Sequence, residues 1–200
     1  MTSAFYKPIG RLKGEMEWLQ DEFLRAVAAG NQRQSQLACE MAVIRLHDAW
    51  ARFCRELIVL SAFGRTVTLS GVPIPPCHRS IKRCHLVIPT LLVRGRYRFE
   101  PRWADSAACI QAAQRLAIAN FSTVSAALGA TNSPAEEIRH ARNFYAHRQK
   151  GTAQKSGATN LFISPVRLEV FDLAAYTSGN VSVIESWVDN LNIVALAAAQ

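Results

Sequence analysis

The chain has 200 residues and half of them are hydrophobic, which is enough to bury a core as a single domain. Charged residues make up 19%, and this composition excludes an intrinsically disordered chain. Lysine and arginine number 23 against 15 aspartate and glutamate, and the net charge of +8 favours an anionic partner, either nucleic acid or a membrane surface.

Neither a secretion signal nor a membrane span is predicted. No apolar run follows the first lysine, Lys7, and the longest apolar run, 85–95, is short and contains Pro89. The 5 cysteines are odd in number and scattered, which favours reduced thiols over a disulfide framework. We therefore expect a cytoplasmic protein that does not contact membranes.

The first third of the chain has the pattern of two helices. Residues 11–29 form the first predicted helix, which Gly30 ends, and residues 32–63 form a longer one, which Gly64 ends. Apolar residues recur at the helical period in the longer segment, and this predicts a face packed on other helices. The residues of this stripe are Val43, Leu46, Trp50, Phe53, Leu57 and Leu60.

Residues 65–101 interrupt the helices. The segment is rich in proline and glycine, and the stretches RTVTL (65–69) and VRGRYRF (93–99) alternate like short strands. We predict an irregular insertion between helices, in which a small β-hairpin is one arrangement.

Two helices are predicted after the insertion, over 103–119 and up to Gly129. A further helix follows Ser133, which is a suitable N-cap, with Pro134 at the first helical position and Glu136 completing a capping box.

The last fifty residues are predicted to contain a polar loop at 151–160, an extended segment at 163–173 and an amphipathic helix at 181–199. The whole chain is then an all-α bundle of five to six helices in one domain, 1–200, with the insertion at 65–101. The C-terminal extended segment and helix occupy 160–200. Four tryptophans are expected in the core: Trp18, Trp50, Trp103 and Trp187.

The helix after Ser133 contains the stretch RHARNFYAHRQK (139–150), which is unusually rich in arginine and histidine. On a helical wheel, one face groups Ile138, Ala141 and Tyr145, which we expect in the core. A polar arc carries Glu136, His140, Asn143 and His147, with Arg139 and Arg142 on its flank.

This residue set matches the needs of one reaction. Histidine can move a proton near neutral pH, and arginine can hold a phosphate and stabilise charge that develops on it. Together they suffice for RNA cleavage without a metal, in which a base removes the proton of the 2′-hydroxyl and that oxygen attacks the adjacent phosphate. The alternative without a catalytic role is a solvated helix end, where basic side chains interact favourably with the negative C-terminal end of the helix dipole.

The stretch Arg142-Asn143-Phe144-Tyr145-Ala146-His147 resembles the signature of the HEPN superfamily (higher eukaryotes and prokaryotes nucleotide-binding). That signature is an arginine and, four to six residues later, a histidine, often with a polar residue directly after the arginine. The resemblance covers roughly 32–150, and its context includes the long helix with LHDAWARF. It is closest in character to prokaryotic toxin and antiviral defence proteins.

The resemblance implies a helical bundle, a homodimer and a ribonuclease mechanism. Two Arg–His motifs would meet across a two-fold axis, with Arg142 on the scissile phosphate, His147 as general base or acid, and Asn143 orienting the site. An antitoxin or a defence-complex partner would restrain the activity. Members paired with a nucleotidyltransferase antitoxin often carry a tyrosine two residues after the histidine, where this chain has Gln149.

Several residues outside the motif are assigned supporting roles. We expect Arg139 and Arg148 to bind RNA, and His140 and Asp48 to support the motif, with His47 beside Asp48 as either such a residue or an ordinary polar patch. If 93–99 is a strand, one face carries Arg94, Arg96 and Arg98, which would either grip the RNA backbone or keep an exposed edge soluble.

No metal or cofactor is predicted. Cys77-His78 and Cys84-His85 have a cysteine spacing longer than usual in zinc sites, and their flanks are basic, so their role is left open. The alternative function is a non-catalytic HEPN module that binds RNA, a nucleotide or a partner protein. A plain helical adaptor on a membrane is disfavoured, since no helix combines a wide apolar face with a lysine-rich edge.

Overall fold

The computed structural model describes residues 3–78, 81–95, 98–147, 177–178 and 181–200. Within these ranges the protein is mostly helical, which confirms the all-α class predicted from the sequence. The helices in chain order are α1 (Tyr6–Ala28), α2 (Gln32–Phe63), α3 (Val87–Gly95), α4 (Ser106–Leu116), α5 (Phe121–Leu128), α6 (Ala135–His147) and α7 (Val183–Ala198).

The chain forms two compact units. Unit 1 contains Met1–Leu12, Trp50–Ser133 and Ile193–Gln200, and unit 2 contains Lys13–Ala49 and Pro134–Asn192. Helices α1, α2 and α7 each contribute residues to both units. The motif helix α6 belongs to unit 2, together with the first half of α2.

Helix α1 begins five residues before the predicted start, at Tyr6 rather than Arg11. Pro8 lies in the first turn, where a residue without a backbone N–H costs the helix no hydrogen bond. In unit 2, α1 buries Met16, Leu19 and Phe23, which are three and four residues apart and form one apolar stripe.

Helix α2 has the predicted bounds, and its predicted stripe is largely confirmed. Val43, Leu46, Trp50, Phe53 and Leu57 are each at most 2% exposed, and Leu60 is half-buried. Gly64 ends the helix with a φ of +64°, a conformation that glycine adopts without strain.

The insertion begins with a small hairpin, whose first strand lies in the predicted stretch 65–69 and whose second strand, at 73–74, was not predicted. Strand β1 (Thr66–Val67) pairs antiparallel with β2 (Pro73–Ile74), with Thr66 opposite Ile74. A single 3₁₀ turn, Cys84–Leu86, then leads into α3.

The second predicted strand, at 93–99, is wrong. Residues 93–95 are the end of α3 instead, and 98–99 form a bend. Helix α3 forms because Pro89 falls in a first turn that tolerates it, and because Val87, Ile88 and Leu91 are buried at helical spacing. Arg94 therefore belongs to a helix.

The start of α4 and the N-terminal cap of α6 differ from their predictions. Helix α4 begins at Ser106 rather than at 103, because the Asp105 carboxylate accepts a hydrogen bond from the Ala108 backbone N–H at 3.1 Å and caps the helix. The predicted capping box at Ser133 is not formed. Ser133 Oγ is buried and has no hydrogen-bond partner among the described residues.

A capping box forms instead at α7. The Ser182 N–H donates to Glu185 Oε2 at 2.8 Å, and the Glu185 N–H donates to Ser182 Oγ at 3.2 Å. Ser182 ends strand β4 (Val181–Ser182), which pairs antiparallel with β3 (Thr177–Ser178). The predicted loop at 151–160 and extended segment at 163–173 lie outside the described residues.

Three of the four tryptophans expected in the core are buried: Trp50, Trp103 and Trp187. The prediction that Trp18 lies in the core is wrong, because its side chain is 44% exposed. The Arg45 guanidinium lies 5.9 Å from its ring centroid. None of the helices in the described ranges has the length and apolar character needed to cross a membrane.

Candidate functional site

The polar face of α6 is organised around the Glu136 carboxylate in the first turn. Arg139 Nη2 lies 3.2 Å from Glu136 Oε1, and His140 Nε2 lies 3.4 Å from the same oxygen. Residues three and four apart on a helix share a face, which is why one carboxylate reaches both side chains. The predicted grouping of Glu136 with His140 and Arg139 is therefore present in the structure.

Arg142 is half-buried one turn further along the helix. Its Nη1 donates to Asn143 Oδ1 at 3.4 Å, which links the two residues that the motif predicts as a pair. Its Nε is buried and has no hydrogen-bond partner among the described residues. Because a buried donor without an acceptor is costly, this N–H is suited to donate a hydrogen bond to a phosphate oxygen.

The N-terminal part of α2 packs against the C-terminal end of α6. Tyr145 Oη lies 3.7 Å from Sγ of Cys39, and burial raises the pKa of the Cys39 thiol to about 11. Tyr145 is half-buried, whereas the neighbouring Phe144, which the helical wheel did not place in the core, is only 4% exposed.

His47 lies on the same helix α2, about two turns beyond Cys39. Its Nδ1 is 3.2 Å from Asp48 Oδ1, and its side chain is 19% exposed. Burial lowers its pKa below the ordinary value, the hydrogen bond to Asp48 opposes this effect, and the charges of Arg142 and Arg139 lower the pKa further. The half-buried imidazole therefore lies close enough to both guanidinium groups for their positive charges to disfavour its protonated form.

His147 is the last residue of α6 and is exposed. It lies five positions after Arg142, which corresponds to about 140° around a helix, so the two side chains leave different faces. Within the part of the chain that the structure describes, no hydrogen bond joins them.

The structure brings together only some of the residues predicted for the site. Arg139, His140, Arg142, Asn143 and the pair His47–Asp48 all belong to unit 2. Arg148 and Arg96 lie outside the described residues.

The predicted row of three arginines on one strand face is wrong. Arg94 is in α3, and Arg98 lies in a bend with its guanidinium 5.3 Å from the Phe99 ring centroid. Both residues belong to unit 1.

Glu137 is a buried residue that holds α6 in place and was not predicted from the sequence. Glu137 is 7% exposed, and its Oε2 accepts a hydrogen bond from Trp187 Nε1 at 2.7 Å, which ties α6 to α7. Its position beside the apolar Ile138 and three residues before His140 gave a signal, because it falls between the polar arc and the buried face.

Among the described residues, no group of three or more histidine, cysteine, aspartate or glutamate side chains is arranged to hold a metal ion. Cys84 and His85 lie in the 3₁₀ turn before α3. Comparison of the chain with protein-family models, with curated proteins and with solved structures gives no match.

Proposed function

We propose that the protein is a metal-independent endoribonuclease of the HEPN type. The observation that carries the proposal is the surroundings of Arg142, the first residue of the Arg-Asn-x-x-x-His motif. Its guanidinium is half-buried, its Nε has no hydrogen-bond partner in the described part of the chain, and its charge helps to lower the pKa of His47 on α2. A purely solvated helix end would leave this guanidinium in water.

The chemistry needs a base, an acid and a group that stabilises charge on phosphorus. The base takes the proton of the 2′-hydroxyl, O2′ bonds to phosphorus, and the bond to the 5′-oxygen breaks as the acid protonates that oxygen. The products end in a 2′,3′-cyclic phosphate and a 5′-hydroxyl. Arg142 stabilises the charge on the non-bridging oxygens, Asn143 orients it, and His147 supplies the base or the acid.

The proposed assembly is a homodimer with a shared site. Arg142 and His147 leave different faces of α6, so one copy does not present both to a single phosphate through this helix. His147 is exposed at the helix end, and this exposure supports the proposal that it serves a second copy. Arg139 and Arg148 then bind the RNA backbone beside the cleft, and the excess of positive charge on the chain supports the encounter.

The biological role proposed is that of a toxin or an antiviral defence effector in the cytoplasm. The support for this role is the motif resemblance. A nuclease without a metal requirement would cut RNA whenever it is assembled, so its activity would have to be restrained. Restraint by an antitoxin or by a defence-complex partner is part of the same proposal.

The test is cleavage of end-labelled RNA in EDTA by the wild-type protein and by Arg142→Ala and His147→Ala. Each substitution is expected to reduce the cleavage rate by about 10²-fold or more, as for loss of a single charge-stabilising or proton-moving group. Arg33→Ala is the matched control, because Arg33 is an exposed arginine in the first turn of α2. Equal cleavage by all four proteins would contradict the proposal.

A second candidate is a non-catalytic HEPN module that binds RNA. It is favoured by one observation, that Glu136 already holds both His140 and Arg139, which leaves these groups better suited to recognition than to proton transfer. This module would retain RNA on a filter and produce no cleavage with or without Mg²⁺, and Arg142→Ala would weaken retention while Arg33→Ala would not.

A further inference from the structure

Unit 1 contains a cavity that has no part in the proposed nuclease site. Its volume is about 580 Å³, which is within the range of small-molecule pockets. It lies between the start of α1 and the part of α2 that follows Trp50, and the 3₁₀ turn contributes Cys84. All of these residues belong to unit 1.

The inner walls of the cavity are apolar. Pro8 and Val59 are buried, Leu60 is half-buried, and Ala4 adds a methyl group. Tyr6, a lining residue that is 59% exposed, supplies an aromatic ring toward solvent. Such walls favour an apolar body over a polar one, since burying apolar surface is the main source of affinity in pockets of this kind.

The polar lining of the cavity is positively charged. Three cations, Lys7, Arg11 and Arg55, face one carboxylate, Glu56, which is ion-paired with Arg11. Lys7 is exposed and forms no ion pair with any carboxylate in the described ranges. With Arg11 paired to Glu56 and Arg55 paired to Glu100 outside the lining, the charge of Lys7 keeps the cavity mouth net positive.

Arg55 is held in place by a second carboxylate that is not part of the lining. Its Nε and Nη2 donate to the two oxygens of Glu100 at 2.9 and 3.2 Å, and Trp103 Nε1 donates to Oε2 of the same carboxylate at 2.8 Å. This arrangement orients the guanidinium and leaves Nη1 outside the ion pair. Because the Arg55 side chain is already ordered, a ligand that binds it pays less conformational entropy.

We propose that this cavity binds a small amphipathic anion, with an apolar body against Pro8, Val59 and Leu60 and a carboxylate or phosphate head at Lys7 and Arg55. Charge complementarity selects the head and the apolar walls select the body. The proposal is independent of RNA cleavage, because none of these residues belongs to the nuclease motif.

The experiment uses three probes that share a decyl chain and differ in the head: decanoate, decyl phosphate and decyltrimethylammonium, each below its micelle concentration. Cys84 lines the cavity and reports occupancy, since a bound chain slows its alkylation by iodoacetamide in a peptide mass measurement. Cys77, another half-buried thiol that is not in the lining, is the internal control. Calorimetric titration of the full chain gives the affinities.

The expected result is slower alkylation of Cys84, and not of Cys77, with at least one anionic probe and not with the cation. Lys7→Gln should weaken binding of that probe by about two- to fivefold, as for loss of one exposed ion pair. Lys13→Gln, an exposed lysine on the same helix outside the cavity, should leave binding unchanged. The proposal is overturned if no anionic probe protects Cys84, if the cation protects it equally, or if both lysine variants behave alike.

Discussion

At the scale of single residues, His47 has a pKa that its surroundings shift in opposing directions. Its pKa is lowered by burial and by the charges of Arg142 and Arg139, against the opposing hydrogen bond to Asp48. We expect a proton NMR titration to place its pKa below 6.5, and to show a higher pKa in Arg142→Ala, where one positive charge is gone. Arg33→Ala should leave the pKa unchanged. A lower pKa in Arg142→Ala would show that the guanidinium does not act on this imidazole.

The same shift couples the stability of the fold to pH. Because the folded state lowers the pKa of His47, its contribution to stability is fully present above the unfolded value, near 6.5, and is lost as pH falls through the folded value. Two pH values, about 7.5 and about 5, lie on either side of the ordinary histidine pKa of about 6.5. On going from the higher to the lower pH, the free energy of unfolding should fall more for wild type than for His47→Gln. Urea denaturation at the two pH values measures this difference.

Glu137 is a second residue with a sharp prediction. Glu137→Ala leaves Trp187 Nε1 buried without the acceptor that now lies at 2.7 Å. The free energy of unfolding should fall by about 1–3 kcal/mol, the usual cost of a buried unsatisfied donor. Glu137→Gln keeps an amide oxygen as acceptor and should cost less. Urea denaturation with an unchanged m-value tests the pair, and an equal loss in both variants would contradict the hydrogen-bond account.

At the scale of elements, the sequence predicted those parts that local signals determine. The bounds of α2 follow from its periodic apolar stripe and from Gly64. The strand expected at 93–99 was wrong because alternating arginines imitate a strand pattern, whereas burial of Val87 and Leu91 selects a helix. The capping box was placed at Ser133 instead of Ser182, since both sites have a glutamate three residues later and only the packed structure distinguishes them.

The junction between α2 and the hairpin gives a prediction at this scale. Gly64 has a φ of +64°, and a Cβ there would collide with the backbone of Pro75 and Pro76. Gly64→Ala should lower the unfolding free energy by about 2 kcal/mol or more, since a positive φ and a backbone clash act together.

Gly14→Ala is the matched control for that prediction. Gly14 lies inside α1, and a Cβ there meets no other atom within 4 Å. This substitution should stabilise the protein by about 0.5–1 kcal/mol, because alanine loses less backbone entropy in a helix. Thermal unfolding of both variants measures the contrast, and a loss of stability in Gly14→Ala would contradict it.

At the scale of the whole molecule, the helical class and the polar arc of α6 were predictable, whereas a place for His47 near that arc was only one of two alternatives. The stretch RHARNFYAHRQK predicted Arg139, His140, Arg142 and Asn143 on one region of a helix. His47 is about ninety residues earlier in the sequence. Its place in the field of Arg142 follows from the packing of α2 on α6, and no local pattern contains that information.

The proposed shared site predicts complementation between two inactive variants. Mixed dimers of Arg142→Ala and His147→Ala retain one site with both residues, if Arg142 of one copy works with His147 of the other. Random mixing should then restore about a quarter of wild-type cleavage, because half of the dimers are mixed and each has one intact site of two. Refolded mixtures assayed in EDTA test this, and no recovery in a mixture shown to be dimeric would contradict sharing.

The most direct test of the central claim compares an RNA oligonucleotide with the same sequence carrying 2′-O-methyl groups, both in EDTA. Attack by the 2′-oxygen requires a hydroxyl, so we predict that only the unmodified RNA is cut, with products ending in a 2′,3′-cyclic phosphate. Mass spectrometry of the products identifies that end. Cleavage of the methylated RNA at the same rate, or cleavage of either substrate only after Mg²⁺ is added, would contradict a metal-free nuclease built on Arg142 and His147.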